Sequence, residues 1–346
     1  MTMTSSATAP QQLPPDAQLL SIVSTAWTSA AIYVVAKLGI ADLLKDGPRS
    51  VEYLSIATST HEQSLYRVLR AVSSAGVFTE EDNRTFANTP MSETLRSDHP
   101  NSVRDLTIWI NEPEHWKVYG DLMHCVKTGQ PAWDKTHGEP VFPYLFKTNT
   151  ELGAIFNKAM TSYTHQTTVP LLEAYDFTSV RVVADIGGGL GHLLGAVLEA
   201  NEGTTGILFD LPEVLQGAPA MLKKFGVEDR VETVCGDFTQ DVPVVADIYM
   251  LKHIIHDWYD EKNQVILGNI RKNMPDDAKV LIIETIIPEG NDPHFSKIID
   301  LEMLAAPGGM ERTATEFQKL LERSGLKLHR IIPTKGMMSI VEAVKA

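Results

Sequence analysis

Apolar positions between about residues 18 and 96 follow a helical spacing that ends in a short alternating segment. The apolar face of the main helix consists of Leu65, Val68, Leu69 and Val72. The segment Thr60–Gln63 has a capping-box sequence that opens a helix, and Gly76 suits the left-handed position after its end. Two short strands are expected at 77–78 and 85–86, on either side of a polar turn. Helices followed by a hairpin are typical of a winged helix.

Helical spacing continues from about residue 100 to 170, now with a concentration of aromatic side chains. Nine of them fall within 55 residues, although aromatic residues make up only 7% of the whole chain. They are Trp109, Trp116, Tyr119, Trp133, Phe142, Tyr144, Phe146, Phe156 and Tyr163. This pattern suits a core between domains and suits equally the lining of a pocket for a flat apolar ligand.

From about residue 178 the spacing changes to short apolar strands that alternate with amphipathic helices. The strands are expected at 180–186, 205–211, 231–235, 246–252, 279–284, 327–332 and 338–344. Repeated strand–helix units imply a parallel sheet with right-handed crossovers, to which the closing hairpin adds an antiparallel strand. The expected fold class is therefore α/β, a doubly wound Rossmann-like sheet that binds ligands beyond the carboxyl ends of its strands.

These patterns divide the chain into four parts. We expect a disordered tail at 1–17, a winged-helix-like domain at 18–100, a helical linker and pocket segment at 101–175, and the α/β domain at 176–346. The tail is rich in Ser, Thr, Pro and Gln and lacks the basic start of a signal peptide. The apolar stretch 19–44 is interrupted by polar residues, so it predicts a buried helix and not a membrane span.

The charge of the chain limits which partners are expected, and its cysteine content indicates the cellular compartment. The net charge of −14 repels phosphate backbones and anionic lipids, and the expected recognition helix carries mixed charges, so neither nucleic acid nor a membrane is expected as a partner. Two cysteines that lie far apart in no motif are typical of reduced thiols in a cytoplasmic protein.

A glycine-rich turn follows the first strand of the α/β domain. The turn begins after Asp185 and has glycines at 187, 188, 189 and 191, which let the backbone bend and let a ligand approach closely. A nicotinamide pattern requires a third glycine at the position of His192. The spacing resembles instead the cofactor loop of class I methyltransferases that use S-adenosylmethionine, whose cationic amino group suits an acid before the turn.

Two more acids end the next two strands of this domain. Asp210, followed by Leu211, can accept hydrogen bonds from both hydroxyls of a ribose. Asp237 and Phe238 follow the third strand, where the methyltransferase pattern places an acid on the adenine amino group and an aromatic side chain on the ring. Three acids after three successive strands therefore indicate S-adenosylmethionine, with Gly187 and Gly189 in the turn.

The fourth strand ends at His256, a candidate general base. Methyl transfer is an in-line displacement with a good leaving group, so the protein must align and activate the acceptor. A histidine can take the proton of a phenol, and it does so better when a third group fixes its tautomer. Glu284 and Glu311 are candidates for that group. His253 and His256 also have the spacing of metal ligands, but no third ligand stands nearby, so no metal is expected.

Three motifs together resemble the plant-type small-molecule O-methyltransferase family. They are Leu-Lys-x-Ile-x-His-Asp-Trp at 251–258, Glu-x-Ile-x-Pro at 284–288 and Gly-Gly-x-Glu-Arg-Thr at 308–313. The family includes caffeic acid and acetylserotonin O-methyltransferases and bacterial enzymes that methylate natural products. The resemblance covers the chain from about residue 18, and it implies that the N-terminal domain builds an intertwined homodimer.

The resemblance also implies roles for individual residues. His256 is implied as the general base, flanked by Glu284 and Glu311. Residues implied around the adenosine are Asp210, Asp237, Phe238 and Lys252. Residues expected to line the acceptor pocket are Trp109, Met160, Tyr163, Asp257 and Met303. Plant members usually have Trp in place of His253, so contacts near the adenine can differ here.

The sequence thus predicts a metal-independent, S-adenosylmethionine-dependent O-methyltransferase. It would act on the hydroxyl of a small aromatic natural product and release S-adenosylhomocysteine. A second hypothesis is an enzyme of the same fold that keeps the cofactor but catalyses hydroxylation, decarboxylation or a pericyclic step. The identity of the acceptor, and strictly the choice between oxygen and nitrogen, stay open.

Overall fold

The computed structural model describes residues 13–346, which form two compact units divided between Glu112 and Pro113. Most of the tail expected at 1–17 lies outside the described residues, and the first helix begins at Pro15. The division falls after the helix Arg104–Asn111, about a dozen residues beyond the boundary expected at 100.

The N-terminal unit combines helices with a small antiparallel sheet. Its helices are α1 (Pro15–Lys37), α2 (Ile40–Leu43), α3 (Val51–Ala57), α4 (Glu62–Ser74), α5 (Pro90–Glu93) and α6 (Arg104–Asn111). Its strands are β1 (Arg49–Ser50), β2 (Phe78–Glu81) and β3 (Thr85–Asn88), in the order β1-β3-β2. The helix–helix–hairpin arrangement expected from the sequence is confirmed.

The start of α4 differs from the expectation. The capping box at Thr60–Gln63 does not form, because His61 occupies the N-cap without a capping side chain. The hydroxyl of Thr60 instead pairs with that of Thr58, at 2.9 Å. At the other end of the helix, Gly76 has the expected left-handed conformation, with φ of 80°.

Helix α1 is more exposed within its unit than the sequence suggested. Of its residues only Val35 and Ala36 are buried, and large apolar side chains on its first half are open. They are Leu19, Leu20, Ile22, Val23 and Trp27. Among the described residues α1 is also the one helix whose length and composition would allow it to cross a membrane. Within this chain, the prediction of a buried helix is therefore not met over the first half of α1.

The C-terminal unit begins with helices that carry most of the aromatic residues. They are α7 (Pro113–Gly120), α8 (Leu122–Thr128), α9 (Ala132–His137), α10 (Val141–Pro143), a π-helical turn (Tyr144–Thr148) and α11 (Thr150–Ala174). Trp133 is fully buried, and its ring packs against those of His137 and Tyr144, so this part of the aromatic cluster is core. Phe142 packs against Phe156 and against Trp258 of the α/β domain.

The α/β domain is built on a seven-stranded sheet. Its strands are β4 (Val182–Ile186), β5 (Thr205–Asp210), β6 (Val231–Cys235), β7 (Ile248–Lys252), β8 (Lys279–Glu284), β9 (Leu326–Pro333) and β10 (Ser339–Lys345). Its helices are α12 (His192–Ala200), α13 (Pro212–Leu215), α14 (Ala218–Lys224), α15 (Asp260–Asn273), α16 (Ser296–Ala305) and α17 (Ala314–Arg323). The capping box expected at Thr313–Glu316 opens α17.

The strand order β6-β5-β4-β7-β8-β10-β9 confirms the doubly wound sheet. Strands β4 to β8 are parallel to one another, and β10 runs antiparallel between β8 and β9. Two apolar clusters of buried residues share the strands of this sheet and the helices packed on it. The order reverses between β4 and β7, which places the switch point, where such sheets bind ligands, beside the glycine turn and the end of β7.

Candidate active site

The turn after β4 depends on glycine at several positions. Gly187, Gly189 and Gly191 all have left-handed backbones, with φ of 70°, 61° and 80°. A Cβ on Gly187 would lie 2.5 Å from the side chain of Ile254, so the turn packs directly against the segment that follows β7. No atom lies within 4 Å of a Cβ built on Gly189, so the backbone there faces open space that a ligand can enter.

Asp185 stands buried below this turn. Its burial raises the pKa to about 7, although the charge of Lys252 acts in the opposite direction. The Oδ2 atom of Asp185 is buried and has no hydrogen-bond partner among the described residues. A buried carboxylate with a free oxygen beside an open glycine turn fits a ligand with a cationic amino group. The site therefore fits S-adenosylmethionine on the evidence of its own donor and acceptor groups.

The acids after β5 and β6 lie in different surroundings. The carboxylate of Asp210 accepts hydrogen bonds from the backbone N–H of Gly189, at 2.8 Å, and of Leu211, at 2.7 Å, and burial raises its pKa. Asp237 is exposed and accepts from the N–H and hydroxyl of Thr239. The ring of Phe238 lies 3.3 Å from a Cβ built on Gly187. The structure thus brings Asp185, Asp210 and Phe238 to the glycine turn, whereas the carboxylate of Asp237 is hydrogen-bonded to Thr239.

A stack of three rings connects the helix α11 with the end of β7. Tyr163 stacks on His253 with ring centroids 5.1 Å apart, and His253 stacks on His256 at 4.8 Å. Burial and the charge of Lys252 hold the pKa of His253 well below its usual range, so this ring is neutral. His253 also has a left-handed backbone, with φ of 56°, a conformation that few residues other than glycine adopt.

Lys252, at the end of β7, is held between α11 and the glycine turn. Its Nζ donates to the hydroxyl of Thr164 at 3.1 Å and lies 5.7 Å from the ring centre of Tyr163. Burial lowers the pKa of Lys252 to about 7 although the charge of Asp185 opposes the shift. Sequence reasoning gave Lys252 a place near the cofactor but no partner, because Thr164 lies almost ninety residues earlier in the chain.

His256 forms a short hydrogen bond with Glu311, as expected of an oriented base. Its Nδ1 lies 2.7 Å from Oε1 of Glu311, which in turn accepts from the hydroxyl of Thr285 through Oε2. An ionised Glu311 can only accept, so Nδ1 carries a hydrogen, and in the neutral imidazole the lone pair is on Nε2. The Nε2 atom lies 3.6 Å from Oδ1 of Asp257.

The other expected partner, Glu284, contacts the base differently from the prediction. Its Oε1 accepts a hydrogen bond from the backbone N–H of His256, at 3.0 Å, and not from the imidazole. Glu284 thus holds the chain at the base, while Glu311 alone holds the ring. Sequence motifs could not distinguish these two contacts, because both glutamates follow strands or turns that end at the same edge of the sheet.

The charges around His256 favour its protonated form. Burial opposes that form, but the hydrogen bond to Glu311 and the charges of Asp257 and Glu284 outweigh it and raise the pKa of His256 to about 9. Burial also raises the pKa of Glu284 to about 7 and that of Asp257 to about 6. The base and its carboxylates therefore form one coupled, buried group of titrating side chains.

Two residues that were given no role in the sequence hold the loop of the base. Asn263 donates from Nδ2 to the carbonyls of Ile255 and Trp258, at 2.7 and 2.8 Å. The fully buried guanidinium of Arg312 donates to the same two carbonyls, at 3.1 and 3.0 Å, and pairs with Asp260. Since these carbonyls flank His256 and Asp257, we refer to Asn263 and Arg312 as the loop clamp. Arg312 belongs to a quoted motif, but only the fold supplies its partners.

The remaining predicted pocket residues have less defined surroundings. Met303 is buried on α16, and its carbonyl accepts from the N–H groups of Gly308 and Gly309. Met160 is partly buried on α11, one turn before Tyr163. Trp109 is buried in α6 of the N-terminal unit, and its place in an acceptor pocket stays a prediction. Over residues 13–346, no group of three or more His, Cys, Asp or Glu side chains is arranged to hold a metal ion.

These features are those of a class I methyltransferase: the sheet order, the glycine turn beside the free Oδ2 of Asp185, and the oriented histidine. Two family matches agree with this geometry. The O-methyltransferase domain family matches residues 119–327, and the O-methyltransferase dimerisation domain matches residues 20–98. The chain belongs to this family of S-adenosylmethionine-dependent methyltransferases of natural-product biosynthesis.

Relatives in this family transfer methyl groups to more than one kind of atom. The chain is 43% identical to a phenazine O-methyltransferase of Lysobacter antibioticus, with 96% of each chain covered. It is 37% identical to the mitomycin biosynthesis 6-O-methyltransferase of Streptomyces lavendulae, covering 94% of this chain and 93% of the relative. It is also 36% identical to the 8-amino-8-demethylriboflavin N,N-dimethyltransferase of Streptomyces davaonensis, with 90% of each covered.

One of the similar solved structures contains S-adenosylhomocysteine, the product that S-adenosylmethionine becomes after methyl transfer. It is a methyltransferase of calicheamicin biosynthesis bound to S-adenosylhomocysteine, 36% identical, with a TM-score of 0.85 over 97% of this chain and 100% of that chain. S-adenosylmethionine is accordingly the cofactor of this family, in agreement with the fit of Asp185 and the glycine turn.

Proposed function

We propose that this methyltransferase acts on a hydroxyl of a small aromatic natural product, with His256 as the general base. The observation that carries the proposal is the 2.7 Å contact between Nδ1 of His256 and Glu311, because in the neutral imidazole this contact leaves the lone pair on Nε2 for a substrate proton. When bound, S-adenosylmethionine supplies an electrophilic methyl group on a positively charged sulfonium.

The acidity of the base suits a phenol. A phenol has a pKa of about 10, and the surroundings of His256 raise its pKa to about 9. The two values differ by about one unit, so transfer of the phenolic proton to Nε2 is nearly balanced in energy. Glu311 fixes the ring, and Glu284 and the loop clamp fix the backbone on either side of it.

The cofactor residues take distinct parts in this proposal. Asp185 would accept from the amino group of the methionine part, beside the turn formed by Gly187 and Gly189, where the backbone of Gly189 faces open space. Asp210 and Leu211 would lie at the ribose, and Asp237 and Phe238 at the adenine. Lys252, between Asp185 and Tyr163, would close the site on the side of α11.

An aromatic acceptor is favoured by the side chains close to the base. The stack of Tyr163 and His253 on His256 presents flat surfaces beside the base, and Met160 and Met303 supply polarisable apolar contacts. Asp257, 3.6 Å from Nε2 of His256, would lie beside the acceptor oxygen.

The test is transfer of a labelled methyl group from S-adenosylmethionine to naphthols and to the matched naphthylamines. We expect a labelled methyl ether, and His256→Gln should lower kcat by about 100-fold, within the range of a general base. The variant His294→Gln, an exposed imidazole outside the site, is the control. Wild-type turnover by His256→Gln would exclude the base assignment.

The same assay separates two alternative activities. Methylation of naphthylamines in preference to naphthols would move the proposal towards a nitrogen acceptor, as in the dimethyltransferase relative. Consumption of an acceptor that requires S-adenosylmethionine but releases no S-adenosylhomocysteine would support the second hypothesis, a non-methylating reaction. The ordered His256–Glu311 pair favours transfer, because the other reactions do not require this base.

We also propose that the enzyme is a soluble cytoplasmic homodimer in which the exposed face of α1 meets a second copy. This face belongs to the matched dimerisation domain and carries Trp27, with 79% of its surface exposed on the isolated chain. Light scattering of Trp27→Lys should detect monomers where the wild type gives dimers. Partition of the wild-type protein into detergent or membranes would contradict this assignment.

A further inference from the structure

A second buried ionic cluster lies outside the three sequence motifs. Glu302 of α16 faces His115 and Tyr119 of α7, which stand four residues apart on one side of that helix. The Nε2 of His115 lies 2.8 Å from Oε1 of Glu302, and the hydroxyl of Tyr119 donates to Oε2. His115 is fully buried, but Glu302 keeps 20% of its side chain exposed. We refer to these three residues as the Glu302 cluster.

Glu302 carries a negative charge in this cluster. Burial opposes ionisation, but His115, the hydroxyl of Tyr119 and the charge of His256 outweigh it and hold the pKa of Glu302 below its usual range. A buried ionic group of this kind contributes little net stability and is expensive to desolvate. Each carboxylate oxygen also keeps a lone pair beyond its present partner, so Glu302 can accept a further hydrogen bond.

The backbone connects Glu302 closely to the base. The next residue, Met303, accepts hydrogen bonds from the N–H groups of Gly308 and Gly309. Gly309 lies so near His256 that a Cβ would be 1.9 Å from the carbonyl oxygen of His256, which also accepts from the N–H of Met310. Glu302 therefore lies on the side of the site that carries the base loop, and its charge interacts with both His256 and Asp257.

The charges on this side of the site are mainly negative. Asp257, Glu284, Glu302 and Glu311 surround His256, with His115 as the second basic group. Among the described residues, none of the charges that act most on Asp257 or Glu302 belongs to lysine or arginine. Arg312 is close to the base loop, but Asp260 neutralises it. An acceptor that carries a carboxylate of its own would bring a further negative charge into this buried group, and the repulsion would be costly.

We propose that Glu302 is a specificity residue for the acceptor. Its carboxylate accepts a hydrogen bond from an O–H or N–H donor of the acceptor, and the cluster excludes acceptors that carry a carboxylate. The acceptor class is thus an uncharged or cationic aromatic molecule with a second donor group besides the atom that is methylated. This inference rests on the proposed function, since it assumes that the acceptor lies beside His256.

The test measures binding and not turnover. Calorimetry compares an aminonaphthol with the hydroxynaphthoate of the same ring pattern, on protein loaded with S-adenosylhomocysteine. We expect the wild type to bind the aminonaphthol at least 100-fold more tightly, and Glu302→Gln to lower this ratio by about 10-fold or more. Glu289→Gln, at an exposed glutamate, should leave the ratio unchanged.

Two further measurements separate specificity from a structural role. If Glu302 only joins α7 to α16, Glu302→Gln will lower the Tm and weaken both probes equally, and the unchanged ratio overturns the proposal. Tyr119→Phe removes one hydrogen bond but keeps the charge, so it should keep most of the discrimination. A wild type that binds the hydroxynaphthoate as well as the aminonaphthol, or neither, also overturns it. Failure of the proposed function would instead appear in the methyl-transfer assay, while the binding ratio stays measurable.

Discussion

The cofactor turn and the loop of the base lie at the same edge of the sheet but are built in different ways. The turn is one continuous strand–turn–helix segment, from β4 to α12, and its glycines serve a backbone path that the segment itself requires. The loop at His256 is held from three other segments of the chain, by Asn263, by Glu284, and by the run Met310, Glu311 and Arg312. A local motif therefore shapes the turn of the cofactor site, whereas the loop of the base depends on contacts between distant segments.

The comparison is tested most strongly by one glycine from each region. A Cβ on Gly309 would meet the carbonyl oxygen of His256 at 1.9 Å, so Gly309→Ala must displace the base loop. We expect a loss of more than about 100-fold in kcat, because misplacement by about 1 Å has effects of that size. Affinity for S-adenosylhomocysteine, measured by calorimetry, should change little.

Gly187→Ala should give the opposite result. Its φ of 70° is unfavourable for alanine, and the new Cβ would contact Ile254 at 2.5 Å. We expect S-adenosylhomocysteine affinity to fall by tenfold or more, about 1.4 kcal/mol. Gly268→Ala, in α15 with no atom within 4 Å of its Cβ, is the control for both variants. Equal losses of affinity in Gly187→Ala and Gly309→Ala would contradict the separation of the two regions.

The next largest effect concerns pH and Glu311. The protonated form of His256 is inactive as a base, so kcat/KM of the wild type should rise with pH until the pKa of His256, about 9. Glu311→Gln replaces the charged acceptor that raises this pKa with a neutral and weaker one, so the rise should move to lower pH by more than about one unit. The plateau rate should also fall because the ring loses its orientation. Glu284→Gln, whose contact is to the backbone, should shift the profile less, and an equal shift would refute the separate roles.

A smaller effect is expected at the loop clamp. Asn263→Ala leaves Arg312 as the remaining donor to the carbonyls of Ile255 and Trp258. We expect a loss of about 1–3 kcal/mol in the free energy of unfolding, and a fall of about tenfold in kcat without a change in cofactor affinity. Urea denaturation and steady-state kinetics on the same samples measure both. A stability loss with unchanged kcat would leave the clamp a purely structural feature.

The smallest expected effect is the pH dependence of cofactor affinity, which tests the glycine turn separately from the base. Ionised Asp185 attracts a cationic amino group, and burial raises its pKa to about 7. Affinity for S-adenosylhomocysteine should therefore increase several-fold as the pH rises through about 7, and Asp185→Asn should abolish this dependence. Calorimetry on either side of neutrality measures it. Persistence of the dependence in Asp185→Asn would assign it to the neighbouring Lys252 instead.

Expectations based on a single segment were mostly confirmed, and those that depended on the environment were less accurate. The seven strands of the sheet and the cap at Thr313–Glu316 follow from local spacing and were correct. The cap at Thr60–Gln63 has the same kind of sequence but does not form, because α4 begins with His61 at the N-cap while the hydroxyl of Thr60 pairs with that of Thr58. The apolar spacing of α1 does not indicate whether the apolar face of its first half is buried by this chain or by a partner.

The sequence by itself determined the sheet, the glycine turn and the presence of an acid and a histidine after the strands. These features depend on backbone geometry and on apolar periodicity, which act over a few residues. Only the tertiary structure decided that Glu311 holds the ring of His256, that Glu284 holds its backbone and that Arg312 and Asn263 clamp its loop. It also brought Glu302 to His115 across almost 190 residues, since such contacts depend on packing between elements that have no local spacing in common.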